Sequence, residues 1–298
     1  MNAILSSYLT LGKWRDFLIL GKLRLSFSVV FSTGAGYLIG ASPFDWGAFT
    51  RLMIGGLFIT MAANAFNQIM EKDTDARMSR TQHRPLPTGR LAVPEAYLVA
   101  VVMTAIGLYY LLKVNALTAS FGLISLILYV FAYTPLKSMT PFAVFVGAIP
   151  GAMPFMLGWV AATGRFGIEP GTLFAIQFLW QFAHFWSIAW ILHEDYKKVH
   201  YILLPSAEPD SRSSFQILMY AIASVVVSVL PVFNFTGELH LTVFSTVLVL
   251  FFGFYFVRSA YLLHRKPTMY NARGVMRTSI VYLTLIQLVY VLDKFLFQ

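Results

Sequence analysis

Residues 94–134 read PEAYLVAVVMTAIGLYYLLKVNALTASFGLISLILYVFAYT and carry almost no charge. After Glu95, the only charged side chain in this stretch is Lys113. About 20 apolar residues in an α-helix cross the hydrocarbon core of a bilayer, so the stretch is too long for one crossing and fits two. The interruption at Lys113, Val114 and Asn115 predicts a tight turn between two membrane helices.

The rest of the 298-residue chain shows the same pattern. With 58% hydrophobic and 12% charged residues, the chain has too few charges to cover the surface of a water-soluble protein of this length. There is no cysteine, which excludes disulfides, thiolate metal sites and cysteine nucleophiles. We predict an all-α polytopic membrane protein that forms a single domain, residues 1–298. Its nine predicted transmembrane helices are 17–41, 46–70, 94–112, 115–134, 141–163, 170–192, 213–234, 239–263 and 274–296.

The positive charges fall on one side of this topology. All but four of the 22 Lys and Arg residues lie in the N-terminal region or in the connections that would share its side of the membrane. The exceptions are Arg51, Lys113, Arg165 and Lys294. Because cytoplasmic loops are enriched in Lys and Arg, the N-terminus and the long loops are expected in the cytoplasm and the C-terminus on the opposite side. The net charge of +9 then reflects topology and does not indicate nucleic-acid binding.

The N-terminal residues match neither a cleavable signal nor an organellar presequence, which favours a bacterial-type inner membrane.

A stripe of polar residues begins inside the second apolar stretch and continues past its end. Asn67, Glu71 and Asp75 are spaced i, i+4 and i+8, so they share one face of a continuing helix, and Asn64 joins them one turn earlier. Asp73 points elsewhere. Amide and carboxylate oxygens are ligands suited to Mg²⁺. The stripe therefore predicts a magnesium site at the membrane surface.

Arginines follow this stripe within a few turns. Arg77, Arg80 and Arg84 would bring guanidinium groups to the same surface, where they and Mg²⁺ could neutralise a departing diphosphate. The competing interpretation is an ordinary solvated loop of mixed charge. The regular spacing of the polar residues, in a helix where such groups are costly, favours the diphosphate site.

Several motifs then resemble a known family over almost the whole chain. The chain is similar to the intramembrane prenyltransferases of the UbiA superfamily, and most similar to the branch that farnesylates protohaem IX. The segments that carry the resemblance are Asn67-x-x-x-Glu71-x-x-x-Asp75, Arg80-Thr-Gln-His-Arg84-Pro-Leu-Pro-Thr-Gly-Arg90, Tyr133-Thr-Pro-Leu-Lys137, Gly147 to Gly164, Trp180-Gln-Phe-Ala-His184-Phe-Trp186 and Asp195-Tyr-Lys-Lys.

The resemblance implies a reaction and a set of site residues. The farnesyl group of farnesyl diphosphate would join a vinyl group of protohaem IX, with hydration, to give haem O and diphosphate. This would occur in a central cavity open to the cytoplasmic side. A haem A synthase or a terminal oxidase is an expected neighbour, and membrane lipid surrounds the protein. The expected catalytic residues are Asn64, Asn67, Glu71, Asp75, Arg80, Arg84 and His184; the diphosphate-binding residues Arg80, Arg84, Tyr133 and Lys137; the ligands of Mg²⁺ Asn67, Glu71, Asp75 and Asp195; and the haem-binding residue His184.

Several assignments keep alternatives. His184 could be an axial ligand of haem iron, a partner of a propionate or a proton carrier, and without the resemblance it would be a core histidine. Tyr133 and Lys137 could instead be an interfacial pair that reaches toward the headgroups. Lys22 and Arg24 have the same ambiguity.

Two other functions fit parts of the pattern. A quinone-precursor or other aromatic prenyltransferase would share the metal chemistry but should carry a more aspartate-rich motif around His184. A transporter would place its polar groups near the middle of the bilayer.

Overall fold

The computed structural model describes residues 11–297, which are helical and contain no strand. A π-helical turn spans Leu128–Tyr133, and a 3₁₀ turn spans Leu230–Phe233. The α-helices in chain order are α1 (Leu11–Leu20), α2 (Leu23–Gly40), α3 (Trp46–Met70), α4 (Lys72–Asp75), α5 (Val93–Leu112), α6 (Ala116–Ile127), α7 (Thr134–Leu136), α8 (Ala143–Thr163), α9 (Ile168–Ile191), α10 (His193–Lys197), α11 (Ser211–Val229), α12 (Val243–Arg265) and α13 (Met269–Phe297).

Eight helical segments within the described residues are long and apolar enough to cross a membrane. The predicted sixth span is present as α9, which has 24 residues and is long enough to cross. It is less apolar than the others because Gln177, Gln181 and His184 interrupt it. The all-α membrane fold is confirmed, whereas the predicted number of nine spans is not.

The first predicted span, 17–41, is wrong as a single helix. The chain breaks after α1, and Lys22 adopts a left-handed backbone conformation with φ of 47° before α2 begins. A left-handed conformation is costly for a residue with a Cβ atom. Here it lets the Lys22 side chain turn inward to Asn67, with 3.4 Å between Nζ and Oδ1.

The second and fourth spans also depart from regular helix near the predicted site. Helix α3 ends at Met70, and α4 follows after Glu71. The backbone hydrogen bonds from Glu71 to Asn67 and from Asp75 to Glu71 persist across this break. In the fourth span, Pro135 has no N–H to donate, and the preceding turn widens so that Thr134 bonds five residues back to Tyr129.

Helix α8 forms the centre of the bundle and packs against α2 and α9. A Cβ atom on Gly158 would lie 2.0 Å from the Thr33 carbonyl oxygen, and one on Gly151 would lie 2.0 Å from Gln181 Oε1. Glycine at these two positions lets the neighbouring helices approach α8 closely, as is common in membrane bundles. This packing sets the width of the interior space that α2, α8 and α9 enclose.

Candidate active site

The centre of the site is a buried ion pair that joins two distant parts of the chain. Lys137 Nζ lies 2.7 Å from Glu71 Oε1, and the two residues are 66 positions apart. Glu71 retains 7% of its exposure and Lys137 retains 8%. The ammonium group also lies 4.6 Å from the centre of the Tyr133 ring, where the negative face of the ring attracts it.

The attraction between the two opposite charges, more than burial, determines the protonation states of Glu71 and Lys137. Burial raises the pKa of Glu71, but Lys137 and then Lys22 outweigh burial and leave that pKa below its usual value. Burial likewise lowers the pKa of Lys137, and Glu71 reverses the effect and holds the pKa well above its ordinary value. Both groups are therefore charged at neutral pH. The Tyr201 hydroxyl lies 3.1 Å from Thr74 Oγ1, near Glu71, and burial first, then the Glu71 charge, raises the pKa of Tyr201 to about 12.

A second ion pair lies one turn further along. Arg84 Nη1 donates to Asp75 Oδ2 at 2.6 Å, and Asp75 is almost completely buried. The other carboxylate oxygen, Asp75 Oδ1, is buried and has no hydrogen-bond partner among the described residues. Burial raises the pKa of Asp75, and Arg84 opposes this rise. Buried oxygen atoms are normally satisfied, so the free Asp75 Oδ1 indicates a site for a cation or a donor.

The two asparagines complete the predicted stripe. Asn67 Nδ2 donates to Thr134 Oγ1 at 3.2 Å, which leaves Asn67 Oδ1 for Lys22. Asn64 donates to Thr60 O at 3.0 Å and reaches the interior cavity described below. Burial, followed by the nearby Arg84 and Lys137, lowers the pKa of Lys22 to about 7. Asn67, Glu71 and Asp75 thus each lie beside a cation.

The donor set fits the metal that the sequence predicts. Asn67, Glu71 and Asp75 are all buried on one side of the chain and offer amide and carboxylate oxygens, whereas Asp73 is exposed. Hard oxygen ligands of this kind suit Mg²⁺. In addition, Asp75 Oδ1 is buried and has no hydrogen-bond partner among the described residues, so it is available to a cation. These observations are consistent with the predicted ligands.

Arg80 and Asp195, the remaining predicted loop residues, have other surroundings in the structure than a diphosphate or metal site. Arg80 is exposed and makes no ion pair within the described residues. Asp195 accepts from Ser79 Oγ at 2.9 Å and from Lys198 Nζ at 2.7 Å. Hydrogen bonding to Lys198 lowers the pKa of Asp195 to about 2. Asp195 therefore joins the loop after α3 to the segment after α9.

A cavity of about 620 Å³ extends from this cluster into the bundle. Asn64 and Tyr133 belong to its wall, so cavity and ion pairs adjoin. Leu25, Phe31 and Ile280 also line it and are exposed on the outer surface, so the cavity borders that surface between α2 and α13. No Asp, Glu, Lys or Arg of the described chain lines the cavity. Its polar side chains include Ser32, Thr60, Gln177, Gln181, His184 and Gln287.

His184 has a defined orientation in this wall. Its ring stacks on Trp180 with 4.7 Å between ring centres, and its Nδ1 lies 2.8 Å from Ser279 Oγ. The Ser279 hydroxyl also lies 2.8 Å from the Met276 carbonyl oxygen, and when it donates its one hydrogen there, it accepts from His184 Nδ1–H. The lone pair then resides on His184 Nε2, which has no hydrogen-bond partner among the described residues. A neutral imidazole held in this way is suited to coordinate a metal ion.

The fold brings together most of the predicted site residues and adds some that sequence reasoning missed. The missed residues include Tyr201, Thr134 and Ser279, which lie far along the chain from the groups they contact. Gln177 and Gln181 were also missed, although their i, i+4 spacing in an apolar helix together with His184 was a usable signal.

Comparison with known proteins identifies relatives over nearly the whole length. The protoheme IX farnesyltransferase of Christiangramia forsetii is 50% identical over 281 residues, which cover 94% of each chain. The protoheme IX farnesyltransferase of Flavobacterium johnsoniae is 45% identical over 299 residues, which cover 99% of this chain and 100% of that one.

Solved structures share the fold at low identity. A UbiA homolog from Archaeoglobus fulgidus bound to DMAPP and Mg²⁺ superposes with a TM-score of 0.69 at 14% identity, over 91% of this chain and 99% of that chain. A structure from work on digeranylgeranylglyceryl phosphate synthase in membranes gives a TM-score of 0.79 at 19% identity, over 95% and 99% of the chains. Residues 29–281 match the family model itself, and the chain belongs to the UbiA prenyltransferase family.

Proposed function

We propose that this protein is a protohaem IX farnesyltransferase, which makes haem O from protohaem IX and farnesyl diphosphate. The observation that carries the proposal is the junction of two environments at Asn64 and Tyr133. On one side lie paired carboxylates and cations suited to a metal diphosphate, and on the other lies an uncharged cavity for an isoprenoid and a porphyrin. The names of the relatives support protohaem as the acceptor.

The cluster would bind the diphosphate. Asn67, Glu71 and Asp75 would hold Mg²⁺, which when bound neutralises charge on the diphosphate oxygens. Lys137, Arg84 and Lys22 already lie against these ligands and would add positive charge around the leaving group. Exposed Arg80 would act from the rim of the site. The ring of Tyr133, next to Lys137, forms the boundary with the cavity.

Farnesyl transfer to protohaem would take place in the cavity. The bond between farnesyl C1 and the diphosphate oxygen breaks, and the diphosphate leaves with the bonding electrons. The vinyl group of protohaem supplies two electrons to C1 and becomes a cation beside the porphyrin. Water then adds to this cation and loses a proton, which gives the hydroxyl group of haem O. Tyr129 and Tyr133 line the cavity and face the developing positive charge with aromatic rings.

His184 would bind the haem through its iron. In the tautomer in which Ser279 accepts from Nδ1–H, the lone pair is on Nε2, and Ser279 contacts the other ring nitrogen of His184 in the wall of the cavity. Of the three roles open from sequence, iron coordination agrees best with this hydrogen-bond pattern. Asp195 would contribute to a second metal only by giving up Lys198 and Ser79, so we assign it to positioning the two loops.

The proposal includes a location. The protein would lie in the inner membrane as one domain with its N-terminus and diphosphate site in the cytoplasm. A haem A synthase or a terminal oxidase nearby would consume its product.

One assay separates the candidate activities. Purified protein in detergent is incubated with Mg²⁺, farnesyl diphosphate and either haem or 4-hydroxybenzoate, and the products are identified by mass. We expect a hydroxylated farnesyl adduct of haem, and none with the Glu71→Gln variant. A prenylated benzoate would instead identify an aromatic prenyltransferase, and no product with either acceptor would favour transport.

A further inference from the structure

A second, smaller pocket lies between α12 and α13, away from the candidate active site. It has a volume of about 280 Å³, and three arginines line it, namely Arg258, Arg273 and Arg277. No side chain of the three forms a salt bridge or a hydrogen bond with any of residues 11–297. No carboxylate lines the pocket. All three arginines are exposed, so water and salt screen their mutual repulsion in part, and an anion between them would reduce it further.

Hydrogen bonds between the two helices hold the walls of this pocket. Ser259 and Thr278 bond through their hydroxyl groups across the α12 and α13 interface. Asn271 Nδ2 donates to the carbonyl oxygens of Leu262, at 3.2 Å, and Lys266, at 2.8 Å, and so ties the start of α13 to the end of α12. Ser259 and Asn271 also line the pocket, so polar groups accompany the guanidinium groups. The arrangement is a formed site with donors in excess of acceptors.

The surface beside the pocket indicates what kind of anion it holds. On α12, exposed Phe251, Phe254 and Tyr255 precede Arg258 along the helix. On α13, exposed Ile280 follows Arg277 by three residues. The charged pocket thus adjoins exposed apolar side chains on two helices that are apolar enough to cross the membrane. A phosphate with acyl chains would use both parts, whereas a free anion would use only the arginines.

We propose that Arg258, Arg273 and Arg277 bind the phosphate headgroup of an anionic phospholipid whose acyl chains lie along α12 and α13. Basic pockets between membrane helices at the surface rich in Lys and Arg have the chemistry for such headgroups. The site does not depend on the proposed function. Its place on α13 is nevertheless informative, because Ser279, which orients His184, lies two residues after Arg277. A bound lipid would therefore hold the helix segment that supports His184.

Lipid binding to the purified, delipidated full chain tests this proposal. Native mass spectrometry would be used to titrate the protein with dioleoylphosphatidylglycerol and, separately, with dioleoylphosphatidylcholine. We expect one tightly bound phosphatidylglycerol per chain. Changing Arg273→Gln and Arg277→Gln together should weaken it about 30-fold, since each cation near an anionic headgroup contributes about five-fold.

Matched variants separate the pocket from general surface charge. Arg212→Gln together with Arg265→Gln removes the same charge from exposed residues that do not line the pocket, and should change affinity less than about three-fold. If the double pocket variant does not fold, Arg258→Gln alone, on the other helix, should still cost about five-fold.

Two outcomes would overturn the lipid assignment. One is an equal loss of phosphatidylglycerol in the pocket and control variants. The other is unchanged phosphatidylglycerol binding in the pocket variants with weakened binding of inorganic diphosphate or haemin, which would assign the pocket to a soluble anion or to a porphyrin carboxylate.

Discussion

Replacing Lys137 by methionine removes the cation from a buried ion pair and leaves the carboxylate of Glu71 without its main counter-charge. The two groups are 2.7 Å apart, and each residue is less than a tenth exposed. Loss of one partner from a buried pair costs about 3–5 kcal/mol. We expect a cost of about 3 kcal/mol in the free energy of unfolding at pH 7, at the lower end of that range. The reason is that Lys22 and Tyr201 still face Glu71.

The pH dependence of this loss has a definite sign. In the unchanged protein the pKa of Glu71 lies below its usual value. Its stabilising contribution is therefore present above the pKa of the unfolded chain and is lost as pH falls through the folded value. In Lys137→Met, burial prevails and raises the pKa of Glu71 above the unfolded value. The folded variant then binds a proton more readily than its unfolded chain. The difference in the free energy of unfolding between the variant and the unchanged protein should therefore become smaller as pH falls from 7 to 5.

A double variant separates stability from activity. Adding Glu71→Gln to Lys137→Met removes the buried charge, and stability should return to within about 1 kcal/mol of the unchanged protein. Farnesyl transfer should remain absent, because both the carboxylate and the ammonium group are gone.

Unfolding by SDS titration in mixed micelles, followed by tryptophan fluorescence, measures these differences. The control is Lys197→Met, which breaks an exposed 3.5 Å pair with Glu208 and should cost about 0–1 kcal/mol. The reasoning fails if Lys137→Met unfolds like this control, or if the double variant stays as unstable as the single one.

The remaining predictions concern the metal, the substrate anion and the haem. Asp75→Asn should lower kcat/KM for farnesyl diphosphate about 100-fold or more, whereas exposed Asp73→Asn should change it less than about three-fold; similar losses in steady-state assays would argue against Asp75 as a metal ligand. Because the pKa of Lys22 is about 7, its affinity-enhancing charge is lost as pH rises from 7 to 9, and affinity for inorganic diphosphate should fall. Lys22→Arg should flatten this pH profile, because arginine stays protonated. If calorimetry gives the same pH profile for Lys22→Arg and the unchanged protein, Lys22 does not contribute. His184→Ala should abolish the Soret shift of bound haem, and Ser279→Ala should weaken haem binding about 10-fold without changing diphosphate affinity; a full Soret shift in His184→Ala would exclude iron coordination by this residue.

Local sequence was sufficient for the membrane class and for part of the site. The length of each apolar run fixes whether it can cross a bilayer, and eight segments of the predicted topology meet that requirement. The stripe of Asn67, Glu71 and Asp75 also follows from spacing alone, because residues four apart share one side of a helix. It survives the break at Glu71, since the backbone hydrogen bonds continue across it.

Partners far apart in the chain could not be predicted, because spacing says nothing about which helices become neighbours. Lys137 meets Glu71 across 66 positions, and Ser279 meets His184 across 95. The break of the first span follows from the same cause. An apolar run reads as one helix, whereas Lys22 leaves that helix to face Asn67, which lies 45 positions later in the chain.

The sequence by itself was therefore sufficient to identify a membrane protein, and it predicted a side for the cations and a set of oxygen atoms that could hold a metal. Only the tertiary structure decided which cation faces each oxygen, which side chain contacts the His184 ring, and which arginines of α12 and α13 line one pocket. The physical reason is the separation along the chain over which each kind of signal acts. Hydropathy and helical periodicity act within about 20 residues, whereas ion pairs, tautomers and pockets depend on contacts that packing alone creates.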